Sequence, residues 1–300
     1  MNNRLIPFHK KLILTFFLLT FILSILASCG FLEELDLDRN LEVQLPASGQ
    51  NMMVHFIDVG QGDSILIQLP NQQNMLIDAG DNHKGQLVVD YLKEQGVSMI
   101  DYLIATHPHA DHIGGMDNVI DQFEIGVIYM PRVAHTTKTY MELLEAIDEK
   151  NLRIRTAKAG VTITIDDVTV EILAPDSQLE SDNLNDYSVV LKLIYGKTKF
   201  LLQGDAEKKS EEFILESGMD IKADVIKLGH HGSSTSSTPK YIEAVDPDYA
   251  IVMAGEGNKY GHPHKEVVAL MNEKGITLYR TDRNGTIVVI SDGNKVSFNE

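Results

Sequence analysis

Beyond residue 50 the chain alternates short apolar runs with amphipathic stretches. Val54-His55-Phe56-Ile57 and Ser64 to Leu69 have strand character and are joined by Asp58-Val59-Gly60-Gln61-Gly62-Asp63, whose glycines permit a tight turn. Met75-Leu76-Ile77 predicts a third strand, Gln86 to Glu94 a helix, and Ile100 to Ala105 a short buried strand. Met116, Val119, Ile120 and Phe123 are spaced as one face of a helix; a strand over Ile125 to Met130 and a helix over Tyr140 to Lys150 follow. Hairpins are expected around Asp166-Asp167 and, between Ser188–Tyr195 and Lys199–Gln203, around Gly196-Lys197. The closing third predicts helix 206–217, strand 223–229, helix 239–245, strand 249–254, helix 264–274 and paired strands around Asp292-Gly293. Strands followed by helices, twice over, suit an α/β fold of two packed sheets with helices outside.

The first fifty residues break that rhythm. Arg4, Lys10 and Lys11 precede an apolar run from Leu12 to Leu26, and Leu26-Ala27-Ser28-Cys29 closes it with small residues before a cysteine. That tetrad resembles the lipobox of bacterial lipoproteins, which implies a signal peptide over 1–28 and lipidation of Cys29; the other reading is an uncleaved membrane anchor. Either places the rest of the chain outside the cytoplasm on a membrane. Residues 29–50 hold Glu33, Glu34, Asp36, Asp38 and Glu42 without periodicity and are expected to be a solvated tether. Residues 51–300 have the length of one large domain.

Composition narrows the chemistry. Cys29 is the one cysteine, so no internal disulfide can form and no thiolate remains as ligand or nucleophile. The formal charge is −17, from 26 basic and 43 acidic residues, and losing Arg4, Lys10 and Lys11 with the leader takes it to about −20. Tight binding of long duplex DNA would need basic surface to displace counterions. No basic run exceeds Lys208-Lys209, leaving Lys192, Lys197, Lys199, Lys222 and Lys227 as members of a conceivable local patch.

Against that background Thr106-His107-Pro108-His109-Ala110-Asp111-His112-Ile113-Gly114-Gly115 stands apart. Three imidazoles and a carboxylate occupy six positions where a strand hands over to a helix. A helix cap at Asp111 would explain one of them, not four. Imidazole and carboxylate are ligands that zinc, manganese or iron accept, and a loop at a strand end can aim them into one cleft. Three further constellations stand at strand or helix ends: Gln203-Gly204-Asp205, Gly229-His230-His231-Gly232, and Gly261-His262-Pro263-His264.

Together these residues resemble a known family. His107-Pro108-His109-Ala110-Asp111-His112 is similar to the HxHxDH signature of the metallo-β-lactamase fold, and Asp78 in Leu76-Ile77-Asp78-Ala79-Gly80 to its first motif. Asp205 and His230 or His231 match its later metal-binding positions. Phe56 to Ser64, Asn185-Asp186-Tyr187-Ser188, His230 to Ser233 and Tyr260 to His264 resemble the C-terminal domain of ComEC-type competence proteins, over about residues 51 to 298. The resemblance implies a four-layer αββα metallo-β-lactamase sandwich with a metal site at one edge of the sheets. Where the fold commonly supplies a third histidine to the first metal, this chain has Asn185-Asp186, and His135 is the nearest histidine. The His107 and His109 site is therefore expected to be completed by Asn185 or Asp186.

The resemblance implies two divalent cations, zinc or manganese, held by His107, His109, Asp111, His112, Asp205, His230 and Asn185 or Asp186. Asp205 would bridge them, and a water between them would be activated. Asp111, His231, His262 and His264 are candidates for proton transfer or phosphate contact, and Asp58 and Asp78 for orienting ligand histidines. The expected activity is phosphodiester hydrolysis, of nucleic acid or of a cell-envelope polymer such as a phosphorylcholine or teichoic-acid ester. The alternative is a non-catalytic metal-binding surface protein. The missing third histidine and the ComEC-type loops point away from β-lactams. The membrane, through Cys29, and the substrate are the expected partners; no protein partner is expected.

Overall fold

The structure, a computed structural model, describes residues 51–299. The expected leader, Cys29 and the whole of the tether lie outside the described residues. Among these, no helix is long and apolar enough to cross a membrane.

The strands are β1 (Met52–Phe56), β2 (Ile65–Gln68), β3 (Asn74–Ile77), β4 (Met99–Ile104), β5 (Glu124–Met130), β6 (Ile154–Thr156), β7 (Thr162–Ile165), β8 (Val168–Ala174), β9 (Val190–Tyr195), β10 (Thr198–Leu202), β11 (Val225–Lys227), β12 (Tyr249–Val252), β13 (Thr277–Arg280), β14 (Ile287–Ser291) and β15 (Val296–Phe298). They form one sheet in the order β15-β14-β1-β2-β3-β4-β5-β6 and a second in the order β13-β12-β11-β10-β9-β8-β7. Each sheet is antiparallel on one side and parallel on the other, with β3 to β6 and β10 to β13 running parallel.

Period-two alternation builds the layers. Ile65, Ile67, Met75 and Ile77 meet Val170, Leu191, Leu193 and Phe200 between the sheets. The intervening Leu66 and Leu76 face helices α1 (Gly85–Glu94), α2 (Ala110–Ile113), α3 (Met116–Gln122) and α4 (Lys138–Glu149) through Val88, Leu92, Ile113, Val119, Leu143 and Ile147. On the far side Val190, Leu201 and Ile226 meet Ile214, Tyr241, Ile242 and Met271 from α5 (Lys208–Ser217), α6 (Pro239–Val245) and α7 (Lys265–Lys274). This is the four-layer αββα sandwich. Both expected hairpins form, pairing Ile165 with Val168 and Tyr195 with Thr198. Strand β11 is shorter than its apolar run, because the chain turns away at Gly229 into the two histidines.

Not every polar side chain points outward. Lys192 and Lys227 are buried, so neither contributes to a surface patch. Lys192 pairs with Asp220, which Lys199 also reaches, while Lys222 pairs with Asp246. His55 is buried under α1, its Nδ1 2.9 Å from the Tyr91 hydroxyl, and burial lowers its pKa to about 4 against the opposing hydrogen bond it can donate to Gln68. The unfolded chain therefore binds a proton near pH 6.5 that the folded chain refuses. Stability is unaffected above that pH, declines as pH falls from 6.5 to 4, and then levels off. The loss is on the order of 3 kcal/mol. In metal-free protein, His55→Gln is expected to flatten the fall in urea midpoint between pH 7 and pH 5; an unchanged slope would assign the acid lability elsewhere.

Candidate metal centre

The carboxyl ends of the parallel strands of both sheets open on one edge, the usual place for a site in sheets of this kind. Strand β3 delivers Asp78, β4 delivers Thr106 and His107, β10 delivers Asp205, and β11 delivers His230 and His231. Asp111 and His112 lie on the single helical turn α2, not on an open loop, and His109 precedes it. Asp111 therefore caps no helix. His231 Nε2 is 3.4 Å from Asp205 Oδ2 and 3.3 Å from Asp111 Oδ2. His112 Nε2 is 3.2 Å from Asp205 Oδ1, and His107 Nε2 is 3.8 Å from Asp205 Oδ2. Two overlapping ligand sets face inward, His107/His112/Asp205 and Asp111/His112/His231, and a third group, Asp63/Asp78/His112, gathers at the outer nitrogen of His112.

The surroundings fix which nitrogen faces inward. Asp78 Oδ2 accepts from His112 Nδ1 at 2.7 Å and from the Thr106 hydroxyl at 2.6 Å, and Asp78 Oδ1 accepts from the Thr106 amide at 2.8 Å. Having given its proton to Asp78, the Thr106 hydroxyl accepts from His107 Nδ1 at 3.1 Å. His107 Nε2 is then a lone pair aimed at His109 Nδ1, 2.9 Å away. The Met253 carbonyl accepts from His231 Nδ1 at 2.9 Å, leaving Nε2 inward. His230 and His231 both have left-handed φ, +47° and +54°, a conformation unusual for side-chain-bearing residues that turns the two rings toward the same edge.

A divalent cation fits this donor set. His112 Nε2, His231 Nε2 and Asp205 Oδ1 are buried without a hydrogen-bond partner, which costs free energy unless something electrophilic shares their lone pairs. Charge argues the same way. Asp63, Asp78, Asp111 and Asp205 converge here, and among the described residues Lys227 is the one ammonium ion-paired with any of them. Burial alone would strip the proton from His112, but Asp205, Asp78 and Asp111 hold its basicity well above the ordinary range. His231 is raised in the same way, burial being outweighed by Asp205, Asp111 and Asp63. A volume that attracts protons this strongly attracts metal cations for the same reason.

Other expected residues take different positions. Asp186 accepts from the Ser181 hydroxyl at 2.5 Å and pairs with Lys209 at 3.3 Å, so its carboxylate is turned away from the histidines. Asn185 donates to Glu207 at 3.4 Å, the same carboxylate that His230 reaches, and keeps a buried Oδ1 without a partner, a free acceptor oxygen. His135 hydrogen-bonds Thr137. Asp58 accepts from the Gly60 amide at 3.0 Å and braces its turn, with no histidine on it. His264 spends both nitrogens tying loops together, Nδ1 accepting from the Ser234 amide at 2.9 Å and Nε2 donating to the Tyr260 carbonyl at 3.2 Å.

Asp63, not Asp58, meets the histidines, lying 3.4 Å from His231 Nδ1 and 3.9 Å from His112 Nδ1. The β2–β3 register pairs Ile65 with Ile77, which sets Ser64 opposite Asp78 and Asp63 on the same edge; that hairpin was a signal for it. Gly62 admits this approach, since a Cβ there would sit 2.2 Å from the Asp111 carbonyl. Glu207 is a second addition. His230 Nδ1 donates to it at 2.9 Å, a hydrogen bond that holds the Glu207 pKa down to about 2 against partial burial. Nothing local marked Glu207 except its position two residues after Asp205.

Residues 57–256 match the family described as the Metallo-beta-lactamase superfamily. The chain belongs to that superfamily. It is 33% identical over 251 residues to ComE operon protein 3 of Bacillus subtilis (strain 168), covering 78% of this chain and 32% of that protein. It is 32% identical over 232 residues to Competence protein ComA of Neisseria gonorrhoeae, covering 77% of this chain and 31% of that protein. The chain thus spans about a third of the length of these curated relatives. Their names agree with the ComEC-type motifs read from the sequence. Among solved structures, Tm1679, a metal-dependent hydrolase of the beta-lactamase superfamily, has a TM-score of 0.54 at 12% identity, covering 78% of this chain and 98% of that one; the likeness is one of fold. The chain is a metal-dependent hydrolase of that superfamily, and its histidine and carboxylate cluster offers donors that could hold a metal ion.

Proposed function

We propose that this metal-dependent hydrolase cleaves phosphodiesters of nucleic acid, outside the cytoplasm and tethered through a lipidated Cys29. The observation that carries the reading is the convergence of unpartnered donors beneath an open cavity of about 260 Å³, lined by Gln61, His109, Asp111, Asp205, His230, His231, Tyr260 and His262. His107, His109 and Asp205 would hold one divalent cation, and Asp111, His112, His231 and Asp205 the second; zinc and manganese both suit nitrogen and oxygen donors. When bound, the cations would neutralise the phosphate and activate a water at neutral pH.

The chain's own groups do the rest. Asp78, Thr106 and the Met253 carbonyl hold the ligand rings in the tautomers that face inward. His231 is buried and shared between Asp111 and Asp205, which makes it the ligand of the adjacent pair. His230 is then the proton-handling imidazole. Glu207 fixes its Nδ1–H; His230 lines the cavity with Nε2 3.8 Å from Asp205 Oδ2, where it can give a proton to the leaving oxygen. His262, its pKa lowered to about 4 by burial and by His231, is neutral at physiological pH and offers substrate a lone pair. Cys29 as tether rests on the Leu26-Ala27-Ser28-Cys29 tetrad.

Purified protein loaded with manganese or zinc is expected to turn over bis-p-nitrophenyl phosphate, and a chelator to stop it. Asp111→Ala should abolish that turnover while leaving the far-ultraviolet circular dichroism unchanged. Normal rates from the variant, or chelator-resistant rates from the wild type, would remove the proposed site.

A further inference from the structure

We infer that Tyr260, with Lys259 and Lys84, forms a subsite that stacks an unpaired nucleobase beside the metal centre, so that the enzyme selects single-stranded nucleic acid over base-free phosphodiesters. This rests on the phosphodiesterase reading. Among the large hydrophobic side chains left exposed in the described residues (Leu87, Met141, Ile154 and Tyr260), Tyr260 is the aromatic one, 53% exposed. It stands at the mouth of the catalytic cavity. It also lines a second trough of about 430 Å³ that shares Gln61, Ala110 and Asp111 with that cavity and adds Lys84 and Lys259.

The ring is open but held in place. Asn258 Oδ1 accepts from the Tyr260 amide at 3.2 Å and the His262 amide at 3.0 Å, and His264 Nε2 grips the Tyr260 carbonyl at 3.2 Å. Tyr260 stacks on His262 at 5.6 Å and 22°, and His262 on His231 at 6.2 Å and 28°, so near-parallel rings lead from the surface to the metal ligands. A braced aromatic loses little freedom when a flat ligand lands on it. The two ammonium groups set the chemical class. Neither Lys84 nor Lys259 has a carboxylate partner among the described residues, and Lys259 Nζ rests 5.0 Å from the Tyr260 ring centroid. Unpaired ammoniums beside an aromatic face welcome a base with its flanking phosphate and repel a quaternary ammonium such as choline. A stacked base must leave any duplex, which agrees with an acidic chain of formal charge −17 whose basic runs do not exceed two residues.

The test uses metal-loaded protein, a dye-labelled short oligothymidylate for anisotropy, and two substrates, oligothymidylate and glycerophosphocholine. Tyr260→Ala is expected to weaken oligothymidylate binding about tenfold and to raise its KM by a similar factor, with a smaller effect on glycerophosphocholine; Tyr260→Phe should restore both. Lys259→Ala and Lys84→Ala should each weaken binding and reduce its salt dependence by about one ion. Wild-type-like oligothymidylate binding by Tyr260→Ala, equal losses on both substrates, or no binding by the wild type would each overturn the inference. A wild type that cleaves neither substrate would sink the hydrolase reading separately, while anisotropy still decides the stacking subsite.

Discussion

Asp205→Asn is expected to lower phosphodiester turnover by more than about 10³-fold, beyond the 10–100-fold that the loss of an outer partner of a metal ligand usually costs. Its carboxylate faces both ligand sets, with Oδ1 at 3.2 Å from His112 and Oδ2 within 3.4 Å of His231 and 3.8 Å of His107. No other carboxylate reaches all three of these rings among the described residues. Asparagine keeps the volume and one oxygen but removes the charge that would let two cations share a buried site. Metal analysis should accordingly show less than a full pair retained after gel filtration. Far-ultraviolet circular dichroism should stay unchanged, since β10 and the core around Phe200 and Leu202 do not depend on the carboxylate. A variant that keeps two metal equivalents and normal turnover would show that Asp205 bridges nothing.

The sequence announced the centre through density and the fold through alternation. His107, His109, Asp111 and His112 crowd one turn, and their neighbours Ile100 to Ala105 and Met116 to Phe123 have strand and helix periods. The apolar run from Ser64 to Leu69 predicted a strand, which the structure buries on both faces, and both tight hairpins were legible from their turn residues. What stayed hidden depends on distant segments meeting. Lys227 looked like one of several surface lysines, because nothing within β11 reveals that Asp63 lies above it. Asp58 and Asp63 were indistinguishable as acids flanking a glycine turn until the β2–β3 register put Asp63 on the edge that carries the histidines. Asp186 and His264 have suitable chemistry but are held elsewhere, by Lys209 and by Ser234 and Tyr260. Strand β13 was missed because Thr277-Leu278-Tyr279-Arg280 is a short, largely half-buried edge strand with little alternation.

Lys227→Met should destabilise the metal-free protein by about 3–5 kcal/mol, the range for removing one member of a buried ion pair. Lys227 is fully buried, pairs with Asp63 and donates to the Gly204 carbonyl at 2.8 Å. It thereby joins the Asp63 loop to the turn that carries Asp205. Methionine fills the same space but leaves Asp63 buried without its counter-charge, since burial raises the Asp63 pKa and Lys227 is the strongest influence pulling it below the usual range. Gly204 keeps the His230 amide at 3.1 Å, so the carbonyl is not orphaned and the penalty falls on Asp63. Removing both charges should therefore hurt less than removing one: Lys227→Met with Asp63→Asn is expected to unfold at higher urea than Lys227→Met alone, and the double-mutant cycle to give strong coupling. Metal affinity should fall in Asp63→Asn and in the double variant, because Asp63 also contacts the outer nitrogens of His231 and His112. Simple additivity of the two substitutions in urea, measured with chelator present, would mean that Lys227 fills space under the site and does not neutralise it.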